Sequence, residues 1–147
     1  MTLDDDKLAS LHPLLAGLFT RHGYTPLDAA GIDAFADAPG HAMLMFIDDP
    51  VRLKETLDLA VIVPELARAF AGRFRVGVLL PEAGRAVHAR YGFRRWPAVV
   101  VLRDGEYVGA IDGLRDWGEY VEALDTLLAA PPVRPPSIGI PIAMAKP

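Results

Sequence analysis

The chain has 147 residues, 52% of them hydrophobic and 23% charged, with 13 Gly, 13 Pro, no Cys and a formal net charge of −4. A single domain of that length buries about 68–70% of its unfolded surface, so its core needs neither disulfide nor metal staples. The missing cysteines exclude disulfides, thiolate chemistry, iron–sulfur ligation and Cys-based zinc sites, and the acidic balance argues against nucleic acid, which demands a basic face.

The opening Met1-Thr2-Leu3-Asp4-Asp5-Asp6 is acidic where a secretory signal is basic, and no apolar stretch follows it. The purest apolar runs, 42–47 and 97–102, fall far short of the roughly 20 residues a helical span requires. A cytoplasmic protein without membrane insertion is expected. Leu8, Leu11, Leu15 and Leu18 with Phe19 recur at helical spacing and predict an N-terminal helix over 5–21, its entry capped by Asp4 to Asp6. After Gly23, residues 24–27 read as a short extended piece, followed by a small helix around 32–36 that Pro39-Gly40 ends.

Residues 42–47 are continuously apolar between Pro39-Gly40 and Asp48-Asp49-Pro50, as in a central strand covered on both faces. Residues 57–70 carry Leu57, Val61, Pro64, Ala67 or Leu66, and Phe70 at helical spacing, and Pro64 inside that pattern removes a backbone donor and should kink the helix. Residues 75–80 read as a second buried strand and 82–91 as a short helix closed by Gly92. The β-branched run 98–102, then Asp104-Gly105, then 107–111 form a hairpin signal. Trp117, Tyr120, Val121, Leu124, Leu127 and Leu128 form the core stripe of a last helix. Alternating helices and strands ending in a hairpin and a covering helix specify an α/β sandwich around a central mixed β-sheet. Residues 131–147 hold six of the 13 prolines and the apolar Ile138, Ile140 and Ile142. They are expected to be an extended tail, either disordered or lying on a partner or a neighbouring subunit.

The stretch Tyr91-Gly92-Phe93-Arg94-Arg95-Trp96-Pro97, the strand after it, Asp104-Gly105, Gly109 and Asp112-Gly113 resemble the C-terminal half of thioredoxin. The resemblance covers roughly residues 24–130 and implies a thioredoxin-like domain over 1–130. It also implies that Pro97 is a cis-proline facing a groove, that Gly113 is the small residue at the groove's edge, and that Pro64 is the proline of the helix after the active-site loop. The same spacing puts the two redox positions near Thr56 and Leu59, neither of which can exchange disulfides. Oxidoreductase activity is therefore excluded by the chemistry of the sequence.

With its leading amphipathic helix, Ile47-Asp48-Asp49-Pro50, Pro64-Glu65-Leu66 and Tyr91-Gly92-Phe93-Arg94-Arg95-Trp96-Pro97, the chain resembles the cysteine-free hydrogenase expression accessory proteins of the HyaE/HupG type. That resemblance implies a non-catalytic chaperone in [NiFe]-hydrogenase maturation. The partner it implies is the precursor of the hydrogenase small subunit with its twin-arginine signal peptide, and possible further partners are other maturation proteins. The alternative is a general redox-inactive peptide-binding or scaffold module.

The candidate peptide-binding residues are Asp48, Asp49, Trp96, Pro97 and Gly113. Asp48 and Asp49 follow the central strand, where ligands contact open α/β sheets, and either face the groove as partners for arginine guanidinium groups or cap the long helix. Trp96 either fills space at the sheet edge or offers an extended peptide an apolar platform. His12, His22, His41 and His88 lack metal-ligand spacing, and the glycines form no phosphate-binding loop, so no metal, cofactor or catalytic residue is expected. Arg94-Arg95 is internal, runs into a core strand and is no export signal. The mixed charges Lys54, Glu55, Asp58, Glu65 and Arg68 read as a solvated helix face.

Overall fold

Successive side chains of a strand point to opposite faces, and in β2 (His41–Phe46) both sets are apolar and buried from Ala42 onward. Met43 and Met45, with Ile47 just beyond the strand, join one core cluster. Ala42, Leu44 and Phe46 join another. The continuous apolar run thus marks a strand covered on both sides, as the sequence predicts.

The computed structural model describes residues 3–136. Their five strands are β1 (Thr25–Leu27), β2, β3 (Phe74–Leu79), β4 (Ala98–Arg103) and β5 (Glu106–Asp112), in the spatial order β1-β3-β2-β4-β5. β1 and β2 run parallel to β3, whereas β4 lies antiparallel to β2 and β5 antiparallel to β4. The first cluster packs α2 (Pro13–Thr20), α4 (Glu55–Ala69) and α6 (Trp117–Ala129) on one face through Leu15, Leu18, Leu59, Val63, Tyr120 and Leu124. The second holds α3 (Ala29–Ala36), α5 (Pro81–Val87) and the 3-10 turn His88–Arg90 on the other. This is the mixed sheet between helices that the order of elements implied.

The opening is a correction. In place of one helix over 5–21 there are two, α1 (Asp5–Ser10) and α2. Pro13 has no N–H to donate to the preceding turn, and its ring pushes His12 out of the helical region, to φ −55° and ψ 142°. His12 then caps α2, its Nδ1 accepting the Leu14 N–H at 3.1 Å. The acidic cap is real at Asp4, whose carboxylate accepts the Lys7 N–H at 2.8 Å. Trp117, expected in the core stripe, is instead 47% exposed and stands outside it. It is the first residue of α6, a turn ahead of the first buried position, Tyr120.

α4 runs through Pro64, which is buried. The hairpin turns on Asp104 and Gly105, both with positive φ (50° and 85°), as a type I′ turn requires. A bulge between Val101 and Leu102 on β4 leaves Val108 of β5 without a partner, so Val108 and Ile111 face the first cluster while Tyr107 packs on the second. Residues 131–136 follow α6 outside any helix or strand, while Ile138, Ile140 and Ile142 lie outside the described residues. Among the described residues no helix is long and apolar enough to cross a membrane.

Candidate functional site

Ile47 is still fully buried, so Asp48 is the first residue to leave the sheet at the carboxyl end of β2. The Asp48 N–H donates to Thr56 Oγ1 at 3.2 Å. Its carboxylate accepts the Asp49 N–H at 2.7 Å and lies 3.2 Å from the Arg85 guanidinium and 3.8 Å from that of Arg52. Asp49 Oδ1 accepts the Val51 N–H at 2.8 Å, and its carbonyl accepts the N–H groups of Arg52 and Leu53. Neither carboxylate caps α4, whose N-cap residue, Lys54, makes no side-chain cap bond. Both line a cavity of about 620 Å³ that also takes in Lys7, Asp28, Arg52 and Arg85. Asp28 follows β1 and Pro81 follows β3, so the cavity sits at the carboxyl ends of three parallel strands.

Trp96, Pro97 and Gly113 come together at the start of β4 and do not line that cavity. The Trp96–Pro97 peptide is cis, as the resemblance to thioredoxin implies. The Pro97 carbonyl accepts the Gly113 N–H at 2.9 Å. Gly113 has φ +72°, and a Cβ there would lie 3.2 Å from Arg95 Cδ, so a larger residue is strained and crowded. Trp96 is half-buried, with edge-to-face contacts to Phe46 at 6.0 Å and Phe93 at 5.3 Å, and its ring also meets His88. It fills space, and only part of its ring is open to a ligand. Among the described residues its backbone N–H and C=O have no hydrogen-bond partner.

Asp112 organises this loop, and the sequence reading did not single it out as a site residue. Its Oδ2 accepts the N–H groups of Arg94 at 2.8 Å and Arg95 at 3.1 Å, while Arg115 reaches Oδ1 at 3.5 Å. Burial pushes the carboxyl up, but the two backbone donors and the nearby guanidinium groups of Arg115 and Arg95 outweigh it and hold it below its ordinary value. Arg85 and Thr56, which fix Asp48, were missed as well. No local pattern marks these three, because the bonds that place them, from the Asp48 N–H to Thr56, from Arg85 to Asp48 and from the Arg95 N–H to Asp112, span 8 to 37 residues.

Thr56 and Leu59, the places the resemblance assigns to redox cysteines, are fully buried. The histidines are structural. His12 caps a helix, His22 stacks on Tyr24, and His88 Nε2 bonds the Phe93 carbonyl. Burial, then Arg103 and Arg73, lower the His41 pKa against the opposing charge of Asp104, and its Nε2 has no partner among the described residues.

The family model described as "Hydrogenase-1 expression protein HyaE" matches residues 14–120. The chain belongs to the HyaE family of hydrogenase expression proteins. The hydrogenase expression/formation protein HoxO of Cupriavidus necator is 42% identical over 135 residues, covering 90% of this chain and 84% of that protein. HupG of Bradyrhizobium diazoefficiens is 36% identical over 127 residues, covering 84% and 86%. A crystal structure of a HupG hydrogenase expression/formation protein from Rhodopseudomonas palustris matches with a TM-score of 0.51 at 35% identity, covering 71% of this chain and 95% of that one. A mutant thioredoxin from Halobacterium salinarum matches with a TM-score of 0.59 at 22% identity, covering 74% and 95%, and shows the shared fold. Inside the HyaE family, then, this chain keeps the thioredoxin frame, and no cysteine stands anywhere in it.

Proposed function

We propose that the protein is a non-catalytic accessory chaperone of [NiFe]-hydrogenase maturation, acting in the cytoplasm on the small-subunit precursor. Membership of the HyaE family supports the hydrogenase role. The site observation that carries the finer reading is the pairing of Asp48 with Arg85 and Arg52 beside an open cavity. The carboxylate already binds guanidinium groups that are themselves half exposed or more, with side-chain exposures of 51% and 68%. Paired arginines of a twin-arginine signal peptide replace these internal partners, and Asp49 supplies the second charge. Exposed ion pairs contribute only about 0–1 kcal/mol each, so apolar contacts carry most of the affinity. The open edge of Trp96, with the exposed Leu114 and Trp117 beyond Gly113, supplies them, and the free backbone groups of Trp96 dock the extended segment.

The test is a binding titration of purified protein against the precursor with and without its signal peptide. Joint replacement Asp48→Asn and Asp49→Asn weakens binding at low salt and hardly at high salt, because screening already removes that share. Trp96→Ala weakens it at both, measured where circular dichroism shows the variant folded. Equal binding of the precursor lacking its signal peptide, or no effect of either change, discards this face as the site.

A further inference from the structure

The tail segment 131–136 lies against the opposite end of the sheet from Asp48. β4 pairs its first residue with Phe46 and its last with His41, so the β4–β5 hairpin sits where β2 begins. Four of the six residues from 131 to 136 are proline and give no backbone donor. Val133 has one, and its N–H donates to the Tyr107 carbonyl on the outer edge of β5 at 2.8 Å. Pro132 and Pro135 are half-buried, whereas Pro131, Val133, Arg134 and Pro136 are exposed. Half-burial of two prolines three residues apart fits a polyproline II helix laid on a surface, since that helix has three residues per turn. Ala130, at φ −85° and ψ 153°, enters the segment close to polyproline II geometry, and the proline rings fix φ near the same value at four of the six residues that follow.

The surface beneath has the chemistry such a helix selects. Tyr91 and Tyr107 stack at 6.2 Å with their planes 20° apart, and the bulge in the β4–β5 ladder turns Tyr107 to this face. Gly92 meets the Pro136 backbone so closely that any side chain there would collide with it. Asp33 and Glu106 line the same cavity as Arg134, placing carboxylates beside the one cation of the segment. About 560 Å³ of that cavity stays open, so the segment fills its seat incompletely.

We propose that the Tyr91–Tyr107 groove is a docking site for polyproline segments of the form Pro-x-x-Pro carrying an arginine. Residues 132–135 hold it in cis, and a partner protein's segment of the same chemistry displaces them. Aromatic-lined grooves take such helices because they are extended before binding and lose little entropy. One backbone bond and two half-buried prolines make a latch that is weak in itself and effective only through its tether, which supplies an effective concentration in the millimolar range. The proposal stands apart from the reading of Asp48 and Trp96, and signal-peptide binding does not test it.

The probe is the peptide Ala-Pro-Pro-Val-Arg-Pro-Pro, titrated by NMR into the full-length chain and into the full-length double variant Pro132→Ala, Pro135→Ala. The variant changes only half-buried positions on the surface. We expect its apparent Kd for the peptide to fall at least about tenfold below that of the unaltered chain, with shifts centred on Tyr91, Gly92 and Tyr107. Replacing the peptide's second and third prolines by alanine abolishes the effect, and glutamate for its arginine weakens binding, controls that need no further change to the protein. No binding to the latch variant, equal binding of the alanine peptide, or shifts mapping elsewhere overturns the proposal. Sedimentation of the unaltered chain is expected to give a monomer. A dimer that the latch variant loses would assign the groove to a second copy of this chain and overturn the partner reading.

Discussion

The two ends of the candidate site are built from different forces. At the end of β2, Asp48 is held by guanidinium groups on long exposed side chains, an arrangement that water and salt weaken. At the start of β4, the loop is held by two backbone N–H bonds to Asp112, the Gly113 N–H bond to Pro97 and aromatic packing around Trp96. The first end can change partners at little cost, and the second keeps its shape whether or not a ligand is present. A binding site gains from the combination, because a rigid rim lowers the ordering cost while exchangeable charges recognise the guest.

Trp96→Ala probes the rigid end most severely. Removing a half-buried indole that touches Phe46, Phe93 and His88 should destabilise the fold by about 2–3 kcal/mol, below the 3–5 of a fully buried aromatic, as read from the urea midpoint. Asp112→Ala comes next. It strands the N–H groups of Arg94 and Arg95 and should cost about 1–3 kcal/mol. If it costs nothing, water replaces the carboxylate freely and the loop is not rigid.

A pH series sharpens the same point. The folded Asp112 carboxyl lies below its ordinary value, so the unfolded chain takes up the proton more readily. Its stabilising contribution is therefore complete at neutral pH and is lost as pH falls through the depressed folded pKa. The acid limb of stability against pH should be shallower in Asp112→Asn than in the unaltered chain. Identical limbs would show that Asp112 titrates alike in both states. The smallest effect is expected at the exchangeable end, where Arg85→Ala changes stability by no more than about 0–1 kcal/mol. It should nevertheless tighten binding of an arginine-bearing peptide, because Asp48 loses an internal competitor. A large stability loss there would erase the contrast between the two ends.

Hydropathy and turn chemistry were enough for the frame. The apolar run 42–47, the β-branched run 98–102 and Asp104-Gly105 each occupy the strand or turn their local pattern predicts. The absence of cysteine removes thiol chemistry by composition alone. Pro13 was equally local, yet the leucine spacing across it suggested a continuous helix. Periodicity records which face is apolar and is blind to a missing backbone donor.

Other features were decided only by tertiary structure. Asp48 meets Arg85 across 37 residues, Asp112 meets Arg94 across 18, and Val133 reaches the Tyr107 edge from beyond the last helix. Each is a polar contact between segments brought together by packing on the sheet. The direction of Tyr107 turns on a single bulge, since one extra residue in a strand moves a side chain to the other face. Composition and period report how a segment buries its own apolar groups. Which carboxylate, carbonyl or ring then faces it depends on register and crossing between distant elements, and no local pattern encodes that.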